Sequence, residues 1–493
     1  MNSELSFWRD KFDHVLSSNG FMGIILSLVM VVLSYGFFAL MGIQGLVILA
    51  GGMLAVLVAI FFSFKFPIAI GMAWFLSMSG FHTLVMLRMP GLPDFSFPRL
   101  FMIMLLILIP LGPLTGRRLF KAPYGPDLLL LTYTFYVFIN LNTIGDPHRF
   151  STWLSSCFAP LVGYVFAKQF VRTPNHLKAI MGFFILISTY FWVVAIGDHF
   201  NITAMVWPKQ ILDRNIGNSW YGRSRGPFLQ PALFGQIIGM YLIAHLFMLT
   251  RKLNLFWKTM ITINTALGSL GLLYTYTRGG WLGTAVGVAF LAVVRPQFRK
   301  LMIGIAFFGI IIGALGLMQP SEDEFLQQRM GNTDTIENRL GFMANAVRMV
   351  RDHPLFGVGY FQFTELRHLY NQGTEIPFYG FIKKSASAET SIHDIYLGRA
   401  AEEGLVGLGL FLGFYISVAL IFLKRWRRNI ANEWFDRDML ACIGGMCVVY
   451  FVGGMAIDFR YFDLVNVLPC FLAGIIVGYP DPEKPKILTS AIV

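Results

Sequence analysis

Charge is what this chain has least of. Only 13% of its 493 residues are Asp, Glu, Lys or Arg, about half of the roughly 25% usual in soluble domains. Apolar stretches of about 20 residues recur along its length, and a soluble fold would leave them nowhere to bury. Cysteine is scarce too. Cys157, Cys442, Cys447 and Cys470 all fall inside apolar runs. They lack paired metal-ligand spacing and read as small buried hydrophobes. There is no Rossmann or P-loop glycine pattern, no internal repeat and no low-complexity tract, so nothing points to nucleotide binding. Residues 1–20 are polar and carry no evident cleavable signal, so the first apolar run is expected to stay as a membrane helix.

What is present is hydrophobicity in helix-sized portions. About fourteen apolar runs lie near 21–41, 43–64, 66–87, 98–115, 126–142, 152–170, 178–198, 231–250, 256–277, 280–295, 301–318, 404–423, 438–457 and 463–479. They predict an all-α polytopic membrane protein with about 12–14 transmembrane helices. The net charge of +12 comes from Lys and Arg in short loops, the positive-inside pattern, and does not suggest nucleic acid. The basic clusters are Lys65; Arg117, Arg118 and Lys121; Lys168, Arg172 and Lys178; Arg251 and Lys252; Arg295, Arg299 and Lys300; and Lys424, Arg425, Arg427 and Arg428. They occupy every second loop, which makes those loops and both termini cytoplasmic. Two long loops, 199–230 and 319–392, then face outward. In the second, Ile336, Leu340, Met343, Val347 and Val350 make an apolar stripe at helical spacing, ended by His353-Pro354 and a Gly357-Val-Gly359 turn.

The outward side holds the residues that could do chemistry. Arg223 and Arg225 precede a membrane helix, Arg278 sits in Tyr-Thr-Arg-Gly-Gly-Trp between two runs, and Arg339 borders the stripe of the outward helix. One such arginine reads as snorkelling or as pairing with lipid phosphate. Four on one side suit a bidentate grip on a diphosphate. His393 lies where the polar segment meets a membrane helix, a costly place for a titratable group. With Thr390 or Ser391 as cap, it would sit in the first helical turn. The positive helix end favours a neutral ring there, a competent general base, whereas Asp394 pulls the other way. The bland alternative is an interfacial histidine with a structural hydrogen bond. Glu402 is nine residues on, half a turn out of phase with His393, and is expected to pair with Arg399 or support the helix. Asp436-Arg-Asp438 reads as helix capping rather than a metal pair, Glu322-Asp-Glu324 as a solvated charge run, and Asp458, Arg460 and Asp463 as an ion-paired turn. No metal or other cofactor is expected.

These motifs together resemble the O-antigen ligase and polymerase family of bacterial membrane glycosyltransferases. Thr277-Arg278-Gly279 matches its Thr/Ser-Arg-Gly motif. Arg339 with His353-Pro-Leu-Phe-Gly-Val-Gly359 matches its arginine-bearing segment and following turn. His393, Tyr396, Leu397, Glu402, Gly404 and Gly407 fall in register with its His-Asn-x-Tyr-Leu and Glu-x-Gly-x-x-Gly segments. Arg223 with Gly226, or Arg225, echoes an upstream Arg-x-x-Gly. Asp394 stands where the family usually has Asn.

The resemblance spans roughly 215–480 and divides the chain into N-terminal helices at 1–210, a ligase/polymerase-like region at 211–480 and a cytoplasmic tail at 481–493. It implies a fold similar to membrane-embedded GT-C-like glycosyltransferases. It also implies a polyprenyl-diphosphate oligosaccharide donor held by Arg278, Arg339, Arg223 and Arg225 at the outer face of the bacterial inner membrane. His393 would be the base, with Asp394, Tyr396 and Glu402 in support. The acceptor glycan would be a lipid-linked repeat for an exopolysaccharide polymerase, or lipid A-core or protein for a ligase, with membrane lipid and other polysaccharide-assembly proteins as partners. A lipid-linked oligosaccharide flippase is the competing class. It predicts mid-helix charges and repeated halves, and neither is evident.

Overall fold

A computed structural model describes residues 66–80, 86–87, 95–111, 124–140, 146–213, 222–299, 334–376, 380–382, 392–428 and 433–481. The runs at 21–41, 43–64 and 301–318, the basic residues at 65, 117, 118, 121 and 300, and the charge run at 322–324 lie outside them. Two units are distinguished: residues 71–102 with 121–493, and residues 1–70 with 103–120. In the second unit, 66–70 and 103–111 are described, as parts of helices α1 (Pro67–Met78) and α2 (Phe97–Leu111).

The first unit continues with α3 (Gly125–Asn140), α4 (Pro147–Phe170, with one π turn at Leu154–Phe158), α5 (Pro174–His199), α6 (Pro231–Leu249), α7 (Leu255–Tyr274) and α8 (Arg278–Val294). Then come α9 (Asp334–Asp352), α10 (Phe363–Tyr370), α11 (Ile395–Arg428), α12 (Arg437–Gly454) and α13 (Asp463–Gly478). Two short antiparallel hairpins pair Met86–Leu87 with Phe95–Ser96 and Thr374–Ile376 with Gly380–Ile382. Within the run expected at 66–87, α1 ends at Met78, and Gly80 turns the chain at φ +104°.

Helix starts follow a simple rule. A polar cap precedes proline in α4 and α5, where Asp146 accepts from the N–H of His148 and Thr173 from that of His176. Proline loses nothing at the first position, since its missing N–H would be unpaired there anyway.

Five of these helices are long and apolar enough to cross a membrane: α4, α5, α6, α11 and α12. The lipid-facing surface is written on α3. Leu128, Leu131, Phe135 and Ile139 are 51%, 54%, 61% and 66% exposed. They fall at steps of three and four, on one face, an apolar stripe that water would not tolerate. The chain is an all-α polytopic membrane protein. At its centre α6 is buried on all sides from Leu233 to Met248. Helix α8 packs closely on α6 and α12. A Cβ at Gly280 would come within 3.0 Å of the Gly235 backbone, and one at Gly283 within 3.0 Å of the Val449 carbonyl. The glycines after Arg278 are thus what lets that helix fit.

Candidate active site

The site begins with a broken helix. Helix α11 runs over 34 residues, but Gly404 within it has φ +70° and ψ −178°, a conformation open to glycine alone at little cost. The break frees backbone groups in a buried place, and each needs a partner. The turn after α9 supplies them. Val358 and Gly359 donate to the carbonyls of Ala401 and Glu402 at 2.9 Å each. Leu405 and Val406 donate to the carbonyls of Pro354 and Leu355 at 2.8 and 3.2 Å. Gly357, at φ +69°, lies so close that a Cβ there would be 2.3 Å from the Glu402 carbonyl oxygen. The Pro-Leu-Phe-Gly-Val-Gly turn and the Glu-x-Gly segment are two halves of one lock.

Glu402 closes that lock. It is fully buried and accepts from Phe361 N at 3.1 Å, Phe363 N at 2.8 Å, Arg460 Nη1 at 2.8 Å and Tyr461 Oη at 2.5 Å. Arg460 is itself 1% exposed and holds Asp458 through Nε and Nη2, each at 2.9 Å. The expected pairing of Glu402 with Arg399 is corrected. Arg399 takes Glu403 at 3.0 Å, one turn along the same face, and lies over the Phe411 ring. The side chain of Glu402 leaves from a different face and meets the α12–α13 turn. The ion pair expected in that turn, Asp458 with Arg460, is present.

His393 lies just before α11. The helix starts at Ile395, and its cap is Asp394, whose Oδ1 accepts from Tyr396 N at 2.8 Å and Leu397 N at 2.7 Å. Thr390 and Ser391, the expected caps, lie outside the described residues. The expectation that His393 sits in the first helical turn is corrected. His393 precedes the cap, in a left-handed conformation at φ +61°, and is half-buried. Strain at a non-glycine residue is held in place only by strong surroundings. Here they are the Asp394 cap and Ile392, which is fully buried. Burial pushes the Asp394 carboxyl up, against the pull of its two N–H donors. Tyr396 supports the same helix by donating to the Phe451 carbonyl of α12 at 2.8 Å.

Ile392 joins His393 to α9. It shares an apolar cluster with Phe342, Ala346 and Met349 of α9, Phe363 of α10 and Ala401 of α11. The buried stripe of α9 is thus shifted by one residue from the expected one, and Val347 is 55% exposed. The aromatic ring at 342 starts the better i, i+4, i+7 register. Arg339, three residues before Phe342, belongs to this face.

The other arginines differ in what they hold. Arg278 is exposed at the first residue of α8. Arg223 is half-buried and donates to the Thr275 carbonyl at 3.0 Å and Thr277 Oγ1 at 2.9 Å, which fixes the turn that presents Arg278. Arg225 is buried and donates through Nη2 to the carbonyls of Ile211 and Asp213, while its backbone N–H donates to Asp198. The structure thus brings Ile392 and Ala401, the residues just before His393 and Glu402, onto one cluster with the α9 face, and groups Arg223 with Arg278 around the α7–α8 turn.

Sequence reasoning missed Arg460 and Tyr461 as partners of Glu402, and Asn140. Asn140 Nδ2 donates to the Phe356 carbonyl at 2.8 Å, and its carbonyls accept from Tyr360 N. The signal for Arg460 was an arginine between two aspartates within an apolar stretch; Asn140 offered none. Among the described residues no group of three or more His, Cys, Asp or Glu is arranged to hold a metal ion. Asp436 caps α12 and pairs with Arg251 at 2.7 Å.

No curated protein matches the chain. A family model described as O-antigen ligase matches residues 263–412, the stretch from α7 through the Arg278 turn, α9, the helix break and His393. Over that segment the chain is similar to the O-antigen ligase family.

Proposed function

We propose that the protein is a polysaccharide polymerase. It transfers an oligosaccharide from a polyprenyl-diphosphate donor to a sugar hydroxyl of a second lipid-linked chain, at the outer face of the inner membrane and without a metal. The observation that carries this reading is the shared apolar cluster of Ile392, Phe342 and Met349. It ties the residue next to His393 to the helix bearing Arg339, so a base and a phosphate-binding cation stand on one small core. In the reaction His393 takes the proton of the acceptor hydroxyl. The acceptor oxygen bonds to the anomeric carbon, the carbon–oxygen bond to the diphosphate breaks, and polyprenyl diphosphate leaves with the electron pair. Arg278 and Arg339 stabilise the charge that gathers on it. Arg223 and Arg225 hold the turns beside them. Asp394, where the family usually has Asn, favours a polymerase over a ligase.

The test is transfer by purified protein in nanodiscs, with EDTA present. The donor alone should yield a ladder of lipid-linked polymer. Product that forms only after lipid A-core is added would make the protein a ligase. Activity lost to EDTA and restored by a divalent ion would overturn the metal-free mechanism.

A further inference from the structure

A cavity of about 240 Å³ opens at the same end of the helices, beside Tyr461. Its walls include Arg99 of α2, Ser151 and Ser155 of α4, and Tyr461, Phe462 and Asp463 of the α12–α13 turn. All the residues that line it fall outside the family segment 263–412. The space is below the roughly 300–1,000 Å³ of sites for drug-sized ligands, so it suits a ring or two rather than a whole oligosaccharide.

The chemistry of the walls is mixed. Arg99 Nη2 donates to Ser151 through both the hydroxyl and the carbonyl, so the guanidinium is already oriented. Asp463 Oδ1 accepts from Leu464 N at 2.7 Å, and a carboxylate has further lone pairs to offer. Serine hydroxyls serve as donor or acceptor, and Tyr461 and Phe462 give aromatic surface. Fixed donors, fixed acceptors and apolar ring faces together match a sugar, whose hydroxyls need both partners and whose C–H faces need neither. A diphosphate fits poorly, because the Asp463 carboxylate would face its charge. Tyr461 connects the cavity to the helix break, since its hydroxyl donates to Glu402 at 2.5 Å.

We propose that this cavity binds an uncharged sugar ring of one of the two glycan substrates, and that residues outside the family segment thereby set which glycan the enzyme uses. The proposal rests on the transfer reading above for the identity of those substrates. The probe is the oligosaccharide repeat released by mild acid from the cell's own polyprenyl diphosphate, free of lipid and phosphate. It is titrated into the full-length protein in nanodiscs and followed by saturation-transfer NMR. Binding should saturate, and Ser155→Phe, which fills the cavity, should weaken it tenfold or more. Asp463→Asn keeps an acceptor for Leu464 N and carries the same criterion if Ser155→Phe does not fold. Wild-type affinity in the folded variant, undetectable binding in the wild type, or displacement of the sugar by equimolar inorganic pyrophosphate would each overturn the proposal. In steady-state assays of Asp463→Asn, a raised KM for donor or for acceptor identifies which substrate supplies the ring. Saturable binding by the wild type that Ser155→Phe abolishes, together with no transfer by the wild type, would sink the transfer reading and leave the cavity standing.

Discussion

The two ends of the helical assembly use charge for different work. At one end, cations meet acids between neighbouring helix ends, and Asp436 also caps α12. Lys168 pairs with Asp127, Lys178 with Glu433, Arg251 with Asp436, Arg295 with Asp438 and Arg425 with Asp481. These are side-chain pairs across helix ends, several of them wet. At the other end, where Arg460 pairs with Glu402 and Asp458, charged groups also hold backbone. Glu402 accepts from two peptide N–H groups, Asp394 from two, and Arg223 and Arg225 donate to carbonyls. A side-chain pair can be exchanged for another pair at small cost. A carboxylate that fixes a turn sets where neighbouring atoms stand. The second kind of construction is what a reaction needs, because a misplacement of about 1 Å can cost on the order of 100-fold in rate.

The sharpest way to break this comparison is to ask whether the ends lie on opposite sides of the membrane. Thr364 and Arg427 are both exposed, one beside the helix break and the other at the end of α11. In a background without native cysteines, Thr364→Cys should label only from outside the cell. Arg427→Cys should label only after the membrane is opened. The expected effect is all or none, because basic loops stay cytoplasmic. Labelling of both from one side would remove the outer-face site.

The next largest effect is chemical. His393→Ala should lower transfer on the order of 100- to 10,000-fold, the usual contribution of a positioned base, with the thermal midpoint unchanged. Arg278→Lys and Arg339→Lys keep charge but lose the planar fork. Each should forfeit roughly 2–4 kcal/mol of transition-state stabilisation, about 30- to 1,000-fold in rate. Arg427→Ala, at the other end, is the control. Transfer by His393→Ala at wild-type rate would make that residue an interfacial histidine with a structural hydrogen bond. Wild-type rates in both lysine variants would return the arginines to lipid anchoring.

A third contrast is energetic. The Glu402–Arg460 pair is buried on both sides, at 0% and 1% side-chain exposure, whereas Lys178 and Glu433 are 40% and 68% exposed. Removing one partner of a buried pair strands the other, so Arg460→Ala should destabilise by about 3–5 kcal/mol. Lys178→Ala should cost about 1 kcal/mol or less. Thermal unfolding of the purified variants, read by the loss of the monodisperse peak, gives the order. Equal losses would mean that the two ends are held in the same way.

Much of the fold was legible because its cause is local. Hydrophobic runs of helix length, polar caps before proline and basic loops at alternate ends can each be read within a few residues. The Asp436 cap and the Asp458–Arg460 pair are of this kind. Motifs were legible too, but their physical joint was not. Nothing in Pro354-Leu-Phe-Gly-Val-Gly359 says that its carbonyls will meet the N–H groups freed at Gly404, because the two segments are far apart in the chain. Glu402 shows the limit most clearly. Helical phase sets it half a turn from His393, and its donors include Phe361, Phe363, Arg460 and Tyr461. Phase could not reveal that its partner lies in another turn. The cap of α11 was misread by three or four residues because Thr, Ser and Asp all cap well, and only the backbone decides among them.

The smallest expected effect concerns Asp394, where the two uses of charge meet in one residue. Its carboxyl caps α11 and is partly buried, and burial holds its folded value above the ordinary range. For an acid shifted in this direction, the unfolded chain releases its proton first as pH rises. Asp394 therefore adds stability below its unfolded value, and that contribution fades as pH climbs through the folded one. Asparagine keeps an oxygen to cap the helix but does not titrate. Relative to the wild type, the thermal midpoint of Asp394→Asn should therefore rise as pH goes from 4 to 7, by a few degrees at most. The same substitution restores the family's usual residue beside His393, so transfer should survive. An unchanged difference in midpoint across that range would mean that Asp394 titrates as an ordinary surface carboxylate. The Asp394→Asn substitution would then reach His393 through the shape of the cap alone.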